Sequence, residues 1–188
     1  MFSSPFVVCL ANLARNLQHV CNKSGTKELP PVAVSDRRIE VDEDAPLEEV
    51  KELLREYPSQ IPVPLEVQDF EAWLDSLPGP YAPPGGRLLV VRYAGEPAGC
   101  VALRGLGDGA AEVKRLYVRE RFRGLGLARA LVHELIEIAR RAGYARLRLD
   151  THPSMIPAQT LYRSFGFTEI APYWDHPVPD VMFFELTL

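Results

Sequence analysis

The sequence predicts a mixed α/β (α+β) domain over residues 36–188, and three observations carry that expectation. Apolar residues make up 47% and charged residues 24% of the 188 positions, the balance of a globular chain long enough to bury one core. The hydrophobic period switches along the chain: Arg146-Leu147-Arg148-Leu149-Asp150 alternates strictly, whereas Leu127, Leu131, Leu135 and Ile138 recur at helical spacing. Clusters of turn formers, Ala94-Gly95-Glu96 and Gly105 to Gly109 among them, separate these segments.

Taken in order, Arg37 to Asp42 alternates polar and apolar residues and reads as a first strand. Asp44 is the expected cap of a helix with Pro46 in its first turn and Leu47, Val50, Leu53 and Leu54 on one side, ending near Tyr57. A second helical pattern runs from Val67 to Leu77 with Phe70, Trp73, Leu74 and Leu77 aligned, and Pro78 to Gly86 reads as a loop. Arg87 to Tyr93 and Pro97 to Arg104 form a hairpin, and Ala110 to Val118 is the next strand. A long helix from Leu127 ends at Gly143, its polar face carrying Arg129, His133, Glu137 and Arg141. After the strand at residues 146–150, Ser154 is the expected cap of a helix whose inner face is Ala158, Leu161, Tyr162 and Phe165. A last strand, Val181 to Leu188, closes the order β-α-α-β-β-β-α-β-α-β, which is not a run of βαβ units.

The first 35 residues differ from the rest: no acid occurs before Lys27, while Arg15, Lys23 and Lys27 supply positive charge. That composition resembles an organellar presequence, and a disordered extension or a start read too far upstream are the competing readings. A net charge of −4 offers no footprint for nucleic acid. No apolar run reaches the roughly 20 residues that span a bilayer. Cys9, Cys21 and Cys100 lack the spacing of a zinc site or a disulfide framework and fit a reducing, cytoplasmic setting. Cys100, inside the apolar run Gly99 to Leu103, reads as a buried inert thiol.

Chemistry concentrates between Glu112 and Leu131, where a strand feeds a basic loop, Gly124 and Gly126, and a helix start. Glycines let backbone N–H groups approach a ligand, and the first N–H groups of a helix lack partners at the positive end of its dipole. Such a corner suits a phosphate or pyrophosphate, with Arg121, Arg123 and Arg129 adding charge beside it. A P-loop is excluded because no Gly-Lys follows. A dinucleotide fingerprint finds an acid in Asp150 but meets Arg129 where its third glycine belongs, so it stays as the weaker alternative.

Arg123-x-x-Gly126-x-Ala128 resembles the Gln/Arg-x-x-Gly-x-Gly/Ala signature of the GNAT-type N-acetyltransferases, and Ala158-x-x-x-Tyr162-x-x-x-Gly166-Phe167 resembles the family's second motif. The loop from Pro172 to Pro179 before a final apolar strand is also similar to one branch of that family. The resemblance covers residues 36–188 and leaves out the extension. It implies the GNAT-like fold, a central mostly antiparallel sheet flanked by helices, with coenzyme A lying in a splay between the fourth and fifth strands.

It further implies an enzyme that moves an acetyl group from acetyl-CoA, the co-substrate, to an amine by direct attack in a ternary complex. Leu116, Tyr117 and Val118 would pair with pantetheine, and the N–H groups of Gly124, Leu125, Gly126, Leu127 and Ala128 would hold the pyrophosphate. Arg121, Arg123 and Arg129 are the candidates for the 3′-phosphate. A lysine-like amine, of pKa about 10.4, must lose a proton before it attacks, so a base or water is required. Glu112 is the candidate base, against the plainer reading of an exposed carboxylate paired with Lys114 or Arg115. Tyr162 is the candidate acid for the departing thiolate, against that of a half-buried helix tyrosine. Met155 stands where the family often has a cofactor-binding Asn.

His152 and His176 fall in loops near the expected mouth with Asp150, Tyr173 and Asp175, in a spacing that matches no metal signature. Phe70, Trp73 and Tyr81 would cover the acceptor side. The expected partner is a small-molecule or protein amine, with no nucleic acid, membrane or metal, for a monomer or homodimer. A non-catalytic acyl-CoA-binding module and a dinucleotide-binding protein are the alternatives.

Overall fold

The computed structural model of the protein describes residues 38–60 and 70–188. These belong to the compact unit Pro31–Leu188. The expected extension at residues 1–35, with Cys9 and Cys21, lies outside the described residues, as do Arg37 and the Val67 end of the second expected helix.

Among the described residues the order is β1 (Ile39–Asp42), α1 (Leu47–Glu56), a 3-10 turn (Tyr57–Gln60), α2 (Phe70–Asp75), a 3-10 turn (Gly79–Tyr81), β2 (Arg87–Tyr93), β3 (Glu96–Gly105) and β4 (Ala110–Val118). A 3-10 turn (Glu120–Phe122), α3 (Leu127–Arg141), β5 (Arg146–Thr151), α4 (Ile156–Ser164), β6 (Thr168–Ile170) and β7 (Met182–Thr187) complete it. The strands make one sheet in the order β1-β2-β3-β4-β5-β7-β6. Every neighbouring pair is antiparallel except β4 with β5. The mixed α/β class expected from the sequence and the mostly antiparallel sheet that the resemblance implies are therefore present.

Period-two alternation sorts β3 onto the two faces of the sheet. Cys100 and Ala102, with Val90 of β2 and Tyr117 of β4, pack under α1 and α2 against Val50, Leu53, Leu54, Leu74, Leu77 and Tyr81. Burying side chains such as Leu53 and Leu54, each at most 1% exposed, contributes about 2 kcal/mol apiece. The longer helix α3 covers β1 to β4 with Leu127, Leu131, Leu135 and Ile138, the spacing that the sequence displays.

Three local expectations are corrected. Asp44 does not cap α1: its own N–H binds Asp42 Oδ1, and Pro46 holds the cap position, its carbonyl accepting from the N–H groups of Glu49 and Val50. Ser154 does not cap α4, because its hydroxyl meets His152 Nδ1 at 2.7 Å and Met155 stands at the cap. The strand β6 lies in Thr168–Ile170, where only three residues pair and no alternation is long enough to read. No helix among the described residues is long and apolar enough to cross a membrane.

Candidate active site

The site begins where the sheet comes apart. The parallel ladder of β4 and β5 pairs Ala110, Ala111 and Glu112 with Arg146, Leu147 and Arg148, and stops there. From Val113 onward the β4 edge has no ladder partner from β5. On its other edge β4 carries a bulge, since Cys100 opposes Tyr117 while Ala102 opposes Lys114, and Arg115 takes the left-handed conformation at φ 58°. Two residues of β4 thus face one of β3, which bends the strand away from β5 at the opening.

That opening leads into a cleft of about 720 Å³. One wall is Leu116, Tyr117 and Val118; another is Met155, Pro157, Ala158 and Leu161 of α4 and its entrance; Tyr57 closes a side. At the far end Arg123, Gly124, Gly126, Leu127, Ala128 and Arg129 line it. Gly124 (φ 79°) and Gly126 (φ 85°) are left-handed, a conformation that costs glycine nothing, and Gly126 is the cap residue of α3. The uncompensated N–H groups of α3 therefore border the cavity at the positive end of its dipole, an arrangement that receives phosphate groups.

Most residues expected at the cofactor come together in this cleft. Leu125 does not line it and is exposed, and Arg121 turns to Glu96, with its guanidinium over Phe122, on a second surface with Glu52, Glu56 and Arg119. Arg123 donates to the carbonyl of Val118 at 3.2 Å, and Arg129 lies over Phe165 and donates to Ser164. Tyr117 sends its hydroxyl to Glu56 at 3.0 Å, in a carboxylate group that Arg119 also holds. Arg119 keeps the Glu56 carboxyl below its ordinary range, while burial and then the Glu56 bond push the Tyr117 phenol up to about 12.

Tyr162 is buried and does not itself line the cleft, although its neighbour Leu161 does; its ring is 5.7 Å from that of Phe167. Burial above all, then the charges of Tyr57 and Asp150, raise its pKa, so the phenol stays protonated well beyond neutrality. Glu112, expected at the surface or at the reacting amine, is fully buried. Arg104 occupies its Oε2 at 2.6 Å; the Tyr173 hydroxyl donates to Oε1 at 2.7 Å, with Lys114 at 3.4 Å.

Beside Glu112 runs a strip of paired charges. Lys114 donates to both oxygens of Asp150 at 2.7 and 2.9 Å and lies 5.4 Å from the Trp174 ring centre. His176 Nδ1 lies 3.1 Å from the Val178 nitrogen and 3.3 Å from the Val178 carbonyl oxygen, and its Nε2 is 3.4 Å from Asp150 Oδ2. Arg148 joins Glu185 and Asp108. Among the described residues no group of three or more His, Cys, Asp or Glu side chains is placed to hold a metal. Phe70 stacks on Trp73 at 5.5 Å, with Tyr81 edge-on at 6.5 Å in the core beneath.

Sequence reading missed Tyr57 as a cleft wall and the bulge at Arg115. The available signal was the pair Lys114-Arg115, two consecutive polar residues that break the alternation of β4 and mark a bulge.

The acetyltransferase (GNAT) family model matches residues 47–167. An uncharacterized N-acetyltransferase of Schizosaccharomyces pombe is 36% identical over 162 residues, spanning 85% of this chain and 98% of the relative. An acetyltransferase from Streptococcus agalactiae superposes with a TM-score of 0.67 at 21% identity, covering 81% of this chain and 99% of that one. YncA from Salmonella typhimurium, solved with its cofactor acetyl-CoA, superposes with a TM-score of 0.60 at 20% identity, covering 80% and 94%.

Proposed function

The chain belongs to the acetyltransferase (GNAT) family and transfers an acetyl group from acetyl-CoA to an amine, and we propose that the cleft between β4 and α4 is where it does so. One observation carries the proposal: the β4 edge released at Glu112 runs into the N-terminus of α3 along a single cavity. A long ligand with amide groups in the middle and a pyrophosphate at one end matches that sequence of surfaces.

In this reading the pantetheine amides complete the β4 edge along Leu116, Tyr117 and Val118, as a further strand would. The pyrophosphate sits on the N–H groups between Gly124 and Ala128, with Leu125 contributing backbone alone. Arg123 and Arg129, both on the cleft, are the cations for the remaining phosphate. Arg121, engaged by Glu96, would have to leave that partner to take part. Met155 supplies apolar contact in place of a polar side chain.

The acceptor amine enters between Tyr57 and the charged strip and attacks the thioester carbonyl. The nitrogen–carbon bond forms, the carbon–sulfur bond breaks, and the proton lost from nitrogen ends on sulfur, giving the amide and free CoA. Tyr162 acts as a hydrogen-bond donor to the departing sulfur. Its raised pKa suits donation of a hydrogen bond more than full loss of the proton. No carboxylate or imidazole lines the cleft among the described residues, so water carries the amine proton away. Glu112, its oxygens taken by Arg104, Tyr173 and Lys114, acts by holding those groups at the opening rather than as the direct base.

Thermal melting with acetyl-CoA, desulfo-CoA and NAD, each alone, followed by thiol release with amines, tests the reading. A ligand at a hundredfold excess over its Kd stabilises the folded chain by about 2.7 kcal/mol. Shifts with both CoA compounds and turnover with an amine are expected. A shift with NAD alone would overturn the cofactor, and CoA binding without turnover of any amine would leave an acyl-CoA-binding module.

A further inference from the structure

Lys114 and Arg115 are adjacent in sequence, and in a regular strand they would point to opposite faces. The bulge cancels that alternation. Lys114 reaches across to Asp150 and Trp174, while Arg115 turns towards α1 and α2 and lies against aromatic rings. Its guanidinium is 5.0 Å from the ring centre of Trp73 and 5.9 Å from that of Tyr57. Two features set this arginine apart. It has no carboxylate partner among the described residues, although Arg104, Arg119 and Arg148 nearby all have one. Its Nε is also buried with no hydrogen-bond partner.

A buried donor without a partner costs about 1–3 kcal/mol, and such groups are rare in folded proteins. Here the cost coincides with a backbone held at φ 58°, itself unfavourable for an arginine. Two unfavourable features on one side chain, itself set over the ring of the cleft-lining Tyr57, mark a group kept for a ligand. The orphan atom is a donor, and so is the other buried orphan among the described residues, Nε1 of Trp174, whose ring lies under the Lys114 ammonium. The acceptor that matches the Nε–H of a guanidinium is a planar carboxylate, which can take two parallel N–H bonds.

Position relates this group to the chemistry. Tyr57 both lines the cleft and carries Arg115 over its ring. Burial above all raises the Tyr57 phenol, Arg115 opposes that rise by its charge and a side-chain hydrogen bond, Asp150 adds to it, and Tyr162 in turn feels Tyr57 and Asp150. Arg115 thus sits one side chain away from the end of the cleft where the thioester would lie.

We propose that the acceptor is a small amine that also carries a carboxylate, and that Arg115, seated on Trp73 and Tyr57, binds that carboxylate. Arg115 is then a specificity-determining residue for the transfer described above, on which the inference rests. The carboxylate fixes the acceptor at Arg115 and leaves its amine directed towards the thioester.

The test uses free amino acids, β-alanine and γ-aminobutyrate, each paired with its C-terminal amide, on the full chain with saturating acetyl-CoA. The expected result is a kcat/KM for at least one acid about tenfold or more above that of its amide. Arg115→Gln should bring acid and amide to within about twofold of each other by raising KM for the acid, and Arg115→Lys should restore part of the preference. Equal rates for acid and amide in the wild type, or a preference that survives Arg115→Gln, would overturn the inference. A second readout separates it from the transfer reading: melting of the desulfo-CoA complex with each acid and amide. A shift with acids alone, without thiol release, would sustain the carboxylate site and sink the transfer. Absence of both rate and shift for every acid would overturn the site itself.

Discussion

The hydroxyl of Tyr173 donates to Glu112 Oε1 at 2.7 Å, so the segment leading to β7 is tied to the rung at which β4 leaves β5. Glu112 is fully buried and also neutralises Arg104 and Lys114. Glu112→Gln removes the charge while keeping the shape, and leaves Arg104 without its carboxylate while Lys114 keeps Asp150. Breaking a buried pair in this way costs about 3–5 kcal/mol. Denaturant unfolding should register that loss, and kcat/KM should fall while acetyl-CoA affinity changes little. Unaltered stability would show that Glu112 is not the hub of this network.

Tyr162→Phe removes one hydroxyl from a buried ring and leaves its packing on Phe167 intact. If the phenol donates to the departing sulfur, kcat should drop by about a hundredfold with saturating acetyl-CoA. The dissociation constant for acetyl-CoA, measured by calorimetry, should stay within about twofold of the wild type. A kcat equal to the wild type's would remove Tyr162 from the mechanism.

Alkaline pH should unfold the protein in a defined window. Burial pushes the Cys100 thiol from 9.0 up to about 12, and burial with the Glu56 bond pushes Tyr117 from 10.0 up to about 12. Both folded values lie above the unfolded ones, so their stabilisation is complete below pH 9 and is lost as the pH rises towards 12. The melting temperature should therefore fall steeply over that range, and the Cys100 thiol should resist alkylation at pH 8 until the chain is unfolded. Rapid alkylation of Cys100 itself in the native protein at pH 8, located by peptide mapping apart from Cys9 and Cys21, would contradict this.

The elements were legible where hydrophobic period and turn chemistry agreed, as in β2, β4 and the run Leu127, Leu131, Leu135, Ile138. The glycine turn at the end of the cleft was legible because Gly124 and Gly126 are needed for their positive φ, a demand written in residue type. Both expected caps failed because Asp44 stands two residues and Ser154 one residue before the actual cap position: the Asp44 N–H binds Asp42 Oδ1, and the Ser154 hydroxyl meets His152 Nδ1. The strip Glu112, Lys114, Asp150 and His176 depends on pairing across β4, β5 and the segment before β7, which no local pattern encodes. Glu112 looked like a surface carboxylate for the same reason: its burial comes from Tyr173, distant in sequence.

Gly99 is where β3 lets the bulged strand approach. A Cβ there would run into the carbonyl oxygen of Tyr117 and reach 3.0 Å from the Cα of Val118, both backbone atoms of the cleft wall. Gly99→Ala should therefore cost about 1–3 kcal/mol in unfolding free energy and weaken acetyl-CoA binding by displacing residues 117 and 118. A variant that melts and binds as the wild type does would mean that β4 can move without disturbing the cleft.

The claim that the β4–α4 cleft holds acetyl-CoA is tested most directly by calorimetric titration of acetyl-CoA into the wild type and into Ala128→Glu. Ala128 lies in the first turn of α3 on the cleft, where a carboxylate favours the helix dipole by about 0.3–1 kcal/mol but repels a pyrophosphate. The variant should melt at or above the wild-type temperature and bind acetyl-CoA about tenfold or more weakly. Undiminished affinity in the folded variant would place the cofactor elsewhere and contradict the account.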